Sequence, residues 1–395
     1  MTIPWLDWAS LMIRWLHLAA GIAWIGTSFY FIWLDQSLRT REGLAKGVLG
    51  ESWSVHGGGF YHMSKYAVVP EQMPPQLHWF KYEAYFTWVS GFALLVVIYY
   101  LGAASYLIDP GRADLTTLSA IGASLAFLIG SWLIYEVLCR SPIGRSTPAL
   151  AVFVLVLIVA SAYLLTQLFS DRAAFLHVGA LIGTIMSANV FVVIIPNQKK
   201  VVADLIAGNT PDPTLGAQAK QRSLHNNYLT LPVLLLMVSA HYPMLFSGGA
   251  TWGALVVAFI VLAGGVIRHF FNTYHAGGRG IALAWQWPLA VMLALGLIFF
   301  IASRGPAVSS TAVSDTRTLQ IVSTHCVGCH AAQPVNPAFS APPGGVVLDS
   351  LDAVKRYREQ VLAQAVTSQA MPLGNASGMT PGERGELRQW LVSHD

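Results

Sequence analysis

Long apolar runs constrain this chain more than any other feature of its sequence. Each is about as long as a helix must be to cross a bilayer core. Only 11% of the 395 residues are charged, against roughly 25% in ordinary soluble domains. We therefore predict an all-α fold, a polytopic membrane helix bundle of about eight spans. The runs lie near residues 11–34, 83–106, 116–138, 149–169, 174–196, 228–247, 251–273 and 281–303.

The apolar pattern stops near residue 305, and a polar segment follows it. Residues 303–316 read SRGPAVSSTAVSDT, a small, Ser- and Thr-rich stretch that Pro306 interrupts, which is typical of a linker. The sequence thus predicts a membrane domain over 1–305, a linker over 306–316 and a soluble domain over 317–395. The first apolar run has neither a basic segment before it nor a small-residue cleavage site, so we expect a spanning helix rather than a signal peptide.

Lysine and arginine residues are concentrated in alternate loops. The opposite loops carry Arg112 and Arg172. Because positive loops stay on the cytoplasmic side, an even number of spans would put both termini and the soluble domain in the periplasm of a bacterial inner-membrane protein. No basic aromatic surface accompanies the net charge of +4, so the predicted partner is the lipid bilayer and not a nucleic acid. The basic residues of the odd-numbered loops include Arg39, Arg41, Lys46, Lys65, Arg140, Arg145, Lys199, Lys200, Lys220, Arg222 and Arg279.

The sequence CVGCH, at residues 326–330, is the attachment pattern of c-type haem. Cys326 and Cys329 are expected to add to the two vinyl groups of the haem, and His330 to bind the iron. Haem is attached to such proteins outside the cytoplasm, in agreement with the location that the loop charges predict. The soluble domain is therefore expected to be a small helical, class I-like cytochrome c domain with covalent haem c.

A methionine commonly completes the coordination of haem iron in such cytochromes. Met371 is the favoured candidate because Pro372 stiffens the loop that holds it, and Met379 is the alternative. A zinc site is the competing interpretation of the two cysteines, but it needs further ligands. The segment offers His325 and His394 for that purpose.

The spans also indicate a repeat of four plus four. Leu-His occurs near the start of the first and fifth runs and just before the second and sixth, so that His17 corresponds to His177 and His78 to His225. Neutral imidazole binds iron well. These four histidines are candidate ligands of a b-type haem or another metal in the bundle, although ordinary hydrogen bonds within the bundle would explain them equally.

Ionisable residues at membrane depth indicate a functional site, because they are costly to bury there. In VIRHFFNTYH, Arg268, Asn272 and His275 are spaced to share one helical face. That face would suit a small planar anion, with the arginine pairing its charge, the asparagine binding its amide edge and a histidine or glutamate accepting a proton. The candidate catalytic residues are Glu83, Glu136, Arg268 and His269.

The long connection between the first two runs contains HGGGFY, beginning at His56. Its three glycines would let the backbone approach a ligand closely, and long loops of this kind are often functional. We therefore expect this connection to contribute to function.

Along its whole length the chain resembles the bacterial membrane-bound, cytochrome c-linked urate oxidases, or urate hydroxylases. The resemblance rests on WLHLAAGIAWIGTSFYFIWLD, HGGGFY, LHWFKYEAYFTWVSG, SANVFVVIIPNQKK and CVGCH. It implies oxidation of urate to 5-hydroxyisourate, with electrons passed to haem c rather than to oxygen, and onward to soluble cytochrome c or a terminal oxidase. The first half is also similar to the four-helix membrane protoporphyrinogen oxidases, which favours His17 among the membrane histidines as a haem ligand.

Two other functions stay open on the sequence alone. One is a respiratory electron-transfer module that uses quinol or another donor and has no purine site. The other is a haem-based sensor or assembly factor. Reduction of haem c by urate would separate the first of these from a urate enzyme.

Overall fold

The apolar runs fold into long helices. In the computed structural model, residues 5–71, 73–246, 248–303, 313–337, 339–367 and 369–394 are described. The predicted domain boundary at 305 and most of the predicted linker over 306–316 lie outside these residues. The helices up to residue 303 are α1 (Trp5–Ser37), α2 (Tyr82–Leu94), α3 (Ala103–Tyr106), α4 (Thr117–Arg140), α5 (Thr147–Leu168), α6 (Asp171–Ala188), α7 (Ile195–Ile206), α8 (Pro213–Val238), α9 (Ala250–His275), α10 (Ile281–Ala284) and α11 (Gln286–Ala302).

Seven helical stretches of the described residues are long and apolar enough to cross a membrane. Turns of π-helix over Leu95–Tyr100 and Asn189–Ile194 extend α2 and join α6 to α7. Seven of the eight predicted spans are thus confirmed as long apolar helices. The stretches are Trp5–Ser37, Tyr82–Tyr100, Thr117–Arg140, Thr147–Leu168, Asp171–Ile206, Ala250–His275 and Ile281–Ala302.

The predicted span at 228–247 is the exception. Helix α8 begins well before it, at Pro213, and ends at Val238. Its first half carries charged and amide side chains, including Lys220 and Arg222, so that α8 is less apolar than the other long helices. Residue 247 lies outside the described part. The count of eight spans, and the orientation that depends on an even number, therefore stay predictions.

The connection after α1 departs from the predicted all-α fold, which is wrong at this point. Strands β1 (Val48–His56) and β2 (Gly59–Tyr66) form an antiparallel hairpin. Gly57 and Gly58, between them, have φ values of 60° and 79°, as a two-residue type I′ turn requires. The glycines of HGGGFY thus form a hairpin turn, and the helical periodicity that locates the spans does not detect it.

The helices of the C-terminal residues pack around a cluster of buried apolar side chains. The core includes Trp390, Leu387 and Val354, all essentially inaccessible to solvent. Side-chain oxygens of Ser314, Ser350 and Thr380 accept backbone hydrogen bonds at helix N-termini and so satisfy donors that have no partner inside the helix. These residues are helical, as predicted, and a separate cytochrome c domain stays a prediction. The helices are α12 (Asp315–His325), α13 (Val327–His330), α14 (Leu351–Arg356), α15 (Arg358–Val361) and α16 (Pro381–Ser393).

The chain forms two compact units, each assembled from several segments. The first unit comprises Met1–Leu94, Ile182–Leu234 and Ile260–Ala294. It contains the hairpin and α7. The second unit comprises Leu95–Leu181, Leu235–Phe259 and Leu295–Asp395, and it contains α4, α5 and the C-terminal helices.

Candidate functional site

Helices α8 and α9 bring three polar side chains together in the interior of the first unit. Arg268 donates through Nη2 to Asn272 Oδ1 (3.1 Å) and through Nε to Asn227 Oδ1 (3.4 Å). The Asn272 amide nitrogen donates to the same Asn227 oxygen (2.9 Å). Arg268 and Asn272 lie one turn apart on α9, as their spacing predicts. We call Arg268, Asn272 and Asn227 the arginine–amide cluster.

The Arg268 guanidinium is buried without a counter-ion. The residue is 6% exposed, and its Cζ lies 3.9 Å from the centroid of the Phe29 ring, a cation–π contact. Among the described residues, no carboxylate lies within ion-pair distance of it. A buried charge without a partner is strongly unfavourable, so the cluster presents a positive site that an anion would neutralise.

Two buried amide groups have unused hydrogen-bonding capacity: Asn227 of the cluster itself, and Gln286, which is hydrogen-bonded to α9. Within the described part of the chain, neither the Asn227 amide nitrogen nor the Gln286 amide oxygen has a hydrogen-bond partner. Both residues are buried, and Gln286 Nε2 donates to Thr273 Oγ1 (3.4 Å). Buried polar atoms are nearly always paired, so a donor and an acceptor are left here for a bound molecule. Sequence reasoning missed Asn227 and Gln286, although an amide flanked by apolar segments is itself a signal.

The other three candidate catalytic residues do not join the cluster. His269 is exposed, and its Nδ1 lies 2.8 Å from the Tyr228 hydroxyl. Glu83 is half-buried in the first turn of α2 and forms no ion pair with Arg268. The Glu136 carboxylate pairs with Arg140, one turn along α4, at 2.5 Å. Their catalytic roles stay predictions, and of the four only Arg268 belongs to the cluster.

His275, at the end of α9, lies beside the arginine-rich connection after α1. Its backbone carbonyl accepts a hydrogen bond from Arg39 Nη2 (3.4 Å). Arg39 is also paired with Glu51 of β1 through two backbone hydrogen bonds. The hairpin is therefore attached to the end of the helix that carries Arg268.

His17 keeps one ring nitrogen suited to bind a metal. Its Nδ1 lies 2.9 Å from the Thr87 carbonyl oxygen, an acceptor, so that Nδ1 carries the proton and Nε2 has a lone pair. The ring packs on Gly91, where a Cβ would come within 2.9 Å of His17 Cε1. His17 thus stays a candidate ligand, and Gly91 provides the space for its ring.

His177 differs because hydrogen bonds engage both of its ring nitrogens. Nδ1 lies 2.7 Å from the Ala173 carbonyl oxygen, and Nε2 lies 2.8 Å from Ser124 Oγ, which in turn contacts the Tyr100 hydroxyl. To bind a metal, this ring would have to give up one of these bonds.

His78 and His225 complete the predicted histidine set. His78 is exposed in the loop before α2, with its ring against Phe80. His225 lies on α8, beside Asn226. Over the described ranges, no three His, Cys, Asp or Glu residues are arranged to hold a metal ion. The four membrane histidines are therefore not brought into one ligand set.

The CVGCH segment folds as the end of α12 followed by the single turn of α13. His330 Nδ1 donates to the Val346 carbonyl oxygen (2.9 Å), which leaves Nε2 for a metal. Cys326 and Cys329 are unlinked thiols, and the Asn336 amide donates to Cys329 Sγ (3.3 Å). Burial raises the pKa of Cys326 to about 11. Two free thiols and a histidine with a fixed ring suit covalent haem, and haem c stays a prediction.

The two candidate methionines lie in different surroundings. Met379 is 2% exposed and belongs to the core of the C-terminal domain. Met371 lies partly buried at the edge of that core, next to which Cys326 also packs. Met371 as the sixth ligand, with Met379 as the alternative, stays a prediction.

Comparison with known protein families assigns the chain to one of them. The model of the urate oxidase N-terminal family matches residues 4–303. The chain belongs to the urate oxidase N-terminal family. No curated protein and no solved structure matches it.

Membership in the urate oxidase N-terminal family makes the chain an oxidoreductase related to urate oxidation. The matched residues include the arginine–amide cluster, Phe29, Gln286 and all four membrane histidines. The CVGCH segment and Met371 follow the matched range. The link to cytochrome c thus depends on the C-terminal residues themselves.

Proposed function

We propose that the chain oxidises urate to 5-hydroxyisourate in its membrane domain and passes the electrons to haem c attached at Cys326 and Cys329. One observation carries this proposal. Arg268 is buried within the family-matching segment, and no carboxylate among the described residues balances its charge. Urate is a planar anion at neutral pH, so that its binding would supply the missing charge.

The arginine–amide cluster has the groups that a urate anion needs. Arg268 would pair with the negative charge, and the unused Asn227 N–H would donate to a carbonyl oxygen of the purine. The unused Gln286 oxygen would accept a hydrogen bond from a ring N–H. These groups orient and bind the substrate, and a water molecule supplies the new oxygen atom.

The reaction releases protons as well as electrons. Urate and water give 5-hydroxyisourate, two protons and two electrons, so that the site needs a proton acceptor. Among the predicted acceptors, Glu83 is half-buried in the same unit as Arg268 and has no ion pair with it. Glu136 and His269 would first have to give up their contacts with Arg140 and Tyr228. We therefore favour Glu83 as the acceptor.

The C-terminal residues would hold the group that accepts the electrons, haem c. When bound, haem c supplies a one-electron acceptor that can be oxidised again by soluble cytochrome c or a terminal oxidase. Cys326 and Cys329 would hold it covalently, and His330, with its ring fixed by Val346, would bind the iron. Met371 would complete the coordination. In this proposal the chain spans the bacterial inner membrane with this domain in the periplasm.

Oxidation of quinol, the alternative function, fits the site less well. A quinol is neutral and does not require a buried guanidinium. Its binding would leave the charge of Arg268 without a counter-ion, an unfavourable state in an apolar environment.

The test is anaerobic reduction of haem c by urate in the purified full-length protein. We expect urate to reduce the wild-type haem, and Arg268→Gln to lower kcat/KM by about 100-fold or more, since removal of one partner of a buried ion pair costs about 3–5 kcal/mol. The matched control is Arg279→Gln, at an exposed arginine just after α9, which should behave as wild type. Reduction by a quinol but not by urate would contradict the proposal.

A further inference from the structure

The loop that carries Met371 lies directly against α3 and the residues that follow it, within the second unit. Gly374 adopts a left-handed conformation (φ 60°) in the turn Leu373–Asn375. A Cβ at Gly374 would come within 2.6 Å of the Ser105 carbonyl oxygen and 3.4 Å of the Ile108 carbonyl oxygen. The conformation and the close approach both require glycine here. The backbone of the Met371 loop is therefore seated on residues 105–108.

Asp109 interacts with residues on both sides of this contact. The residue is 5% exposed, and its carboxylate accepts a hydrogen bond from the Gly111 backbone N–H (2.9 Å). Its side chain also hydrogen-bonds the Asn375 side chain. Arg112 approaches the other carboxylate oxygen (Nε to Oδ2, 3.7 Å) and pairs with Asp171 (2.9 Å). Asp109 thus joins the loop after α3 to the turn that follows Met371.

Arg384 of α16 also contacts this turn. It is 6% exposed and donates to the backbone carbonyl oxygens of Met371 (2.6 Å) and Ala365. It also donates to Asn375 Oδ1 (3.3 Å), and its positive charge interacts with Asp109. Arg384 therefore holds both the backbone of Met371 and the asparagine that contacts Asp109.

Aromatic rings lead from the interior of the second unit to this contact. Tyr99 is buried, and its ring centroid lies 5.9 Å from that of His177 and 6.2 Å from that of Tyr106. Tyr106 follows Ser105, the residue against which Gly374 is seated. Closely spaced aromatic groups are suited to pass single electrons. The last ring of this series belongs to the residue next to Ser105, where the Met371 loop docks.

We propose that Asp109, Asn375 and Arg384 form a latch that fixes the Met371 loop to the membrane domain, and that electrons enter the C-terminal domain through this contact. The proposal rests on the proposed function, in which urate is the reductant and haem c the acceptor. The latch residues are positioning residues: they hold the route and touch neither urate nor the reacting atoms.

The decisive variant is Asp109→Asn in the full-length protein. It keeps the shape of the side chain and removes the charge that faces Arg384. We expect the amount of covalent haem and the rate of haem reduction by ascorbate, a small soluble reductant, to equal those of wild type. We expect the rate of reduction by urate to fall about tenfold or more, because small displacements of reacting groups have large effects on rate. A purely structural role would not slow one reductant and spare the other.

Two further variants keep the test sharp. Asp114→Asn removes an exposed carboxylate from the same loop and should change neither rate. Asn375→Gly removes the contact with Asp109 while tolerating the left-handed backbone of that residue (φ 51°), so it serves if Asp109→Asn fails to fold. It should slow reduction by urate and increase hydrogen exchange in residues 369–376.

The outcomes distinguish the latch from the proposed function. If urate reduces Asp109→Asn and Asn375→Gly as fast as wild type, electrons do not depend on this contact and the latch is wrong. If urate does not reduce wild-type haem at all, the proposed function fails instead, and electron entry from urate falls with it. In that case unchanged hydrogen exchange in Asn375→Gly would also overturn the docking role of the latch.

Discussion

Two buried arginines, each 6% exposed, have opposite surroundings. Arg384 is surrounded by acceptors: it donates to the carbonyl oxygen of Met371 and to Asn375, and Asp109 faces its charge. Arg268 contacts two asparagine side chains and the Phe29 ring, with no carboxylate partner among the described residues. The protein itself satisfies Arg384, whereas Arg268 leaves a charge for a ligand. Burial alone therefore does not distinguish the two arginines, whereas the acceptors that surround each guanidinium do.

The largest expected effect separates the CVGCH segment from the arginine–amide cluster. Cys326→Ala should abolish covalently bound haem, because both thiols are needed for the c-type linkage, while urate binding at the arginine–amide cluster should be retained. A pyridine haemochrome spectrum measures the haem, and calorimetry measures urate binding. Cys139→Ala, at the third cysteine of the chain, is the matched control and should keep both. Full covalent haem in Cys326→Ala would show that the CVGCH segment does not attach it.

Replacing each of the two arginines should change the stability of the protein differently. Arg384→Gln leaves the buried carbonyl oxygens of Met371 and Ala365 without their donor, so we expect a loss of about 1–3 kcal/mol. Arg268→Gln removes a charge that has no partner, so without substrate it should be neutral or stabilising. Thermal unfolding in detergent measures both.

Urate provides the control for that comparison. It should raise the Tm of wild type and of Arg384→Gln by mass action, but not that of Arg268→Gln. If Arg268→Gln lost as much stability as Arg384→Gln, Arg268 would be a structural residue, and the comparison between the two arginines would not hold.

A smaller effect concerns the two methionines of the C-terminal domain. Met371→Leu should lower the reduction potential of haem c and remove the methionine–iron charge-transfer band, because a methionine ligand raises the potential. Met379→Leu is the matched control: it conserves volume in the core and should cost less than about 1.5 kcal/mol, without a spectral change. The reverse pattern would identify Met379 as the ligand.

The sequence predicts features that repeat locally, and it misses those that depend on distant residues. Apolar runs locate seven long helices because length and composition suffice for them. The i, i+4 spacing predicts the contact of Arg268 with Asn272 because both lie on α9. Asn227 comes from α8, and no local period indicates that its side-chain oxygen accepts a hydrogen bond from Arg268. The same holds for Asp109 and Asn375, which are far apart in the chain and meet only through tertiary packing.

A third arginine, Arg41, pairs with Glu51 in the hairpin. Because Arg41 is exposed, we expect the loss of this pair to have the smallest effect on stability. Arg41 (Nε to Oε1, 2.5 Å) and His62 (2.7 Å) bind Glu51 and lower the pKa of its carboxyl to about 2. Because this pKa is lowered from the ordinary glutamate value of 4.5, the contribution of Glu51 to stability is complete above pH 4.5 and is lost as the pH falls toward about 2. Glu51→Gln should therefore increase hydrogen exchange in residues 48–66, after correction for intrinsic rates, at pH 6, and the difference from wild type should shrink steadily below pH 4.5. Glu42→Gln, at an exposed neighbour, should show no difference at any pH. A difference between wild type and Glu51→Gln that stayed constant with pH would mean that the charge of Glu51 does not hold the hairpin, and that the strand pairing alone does.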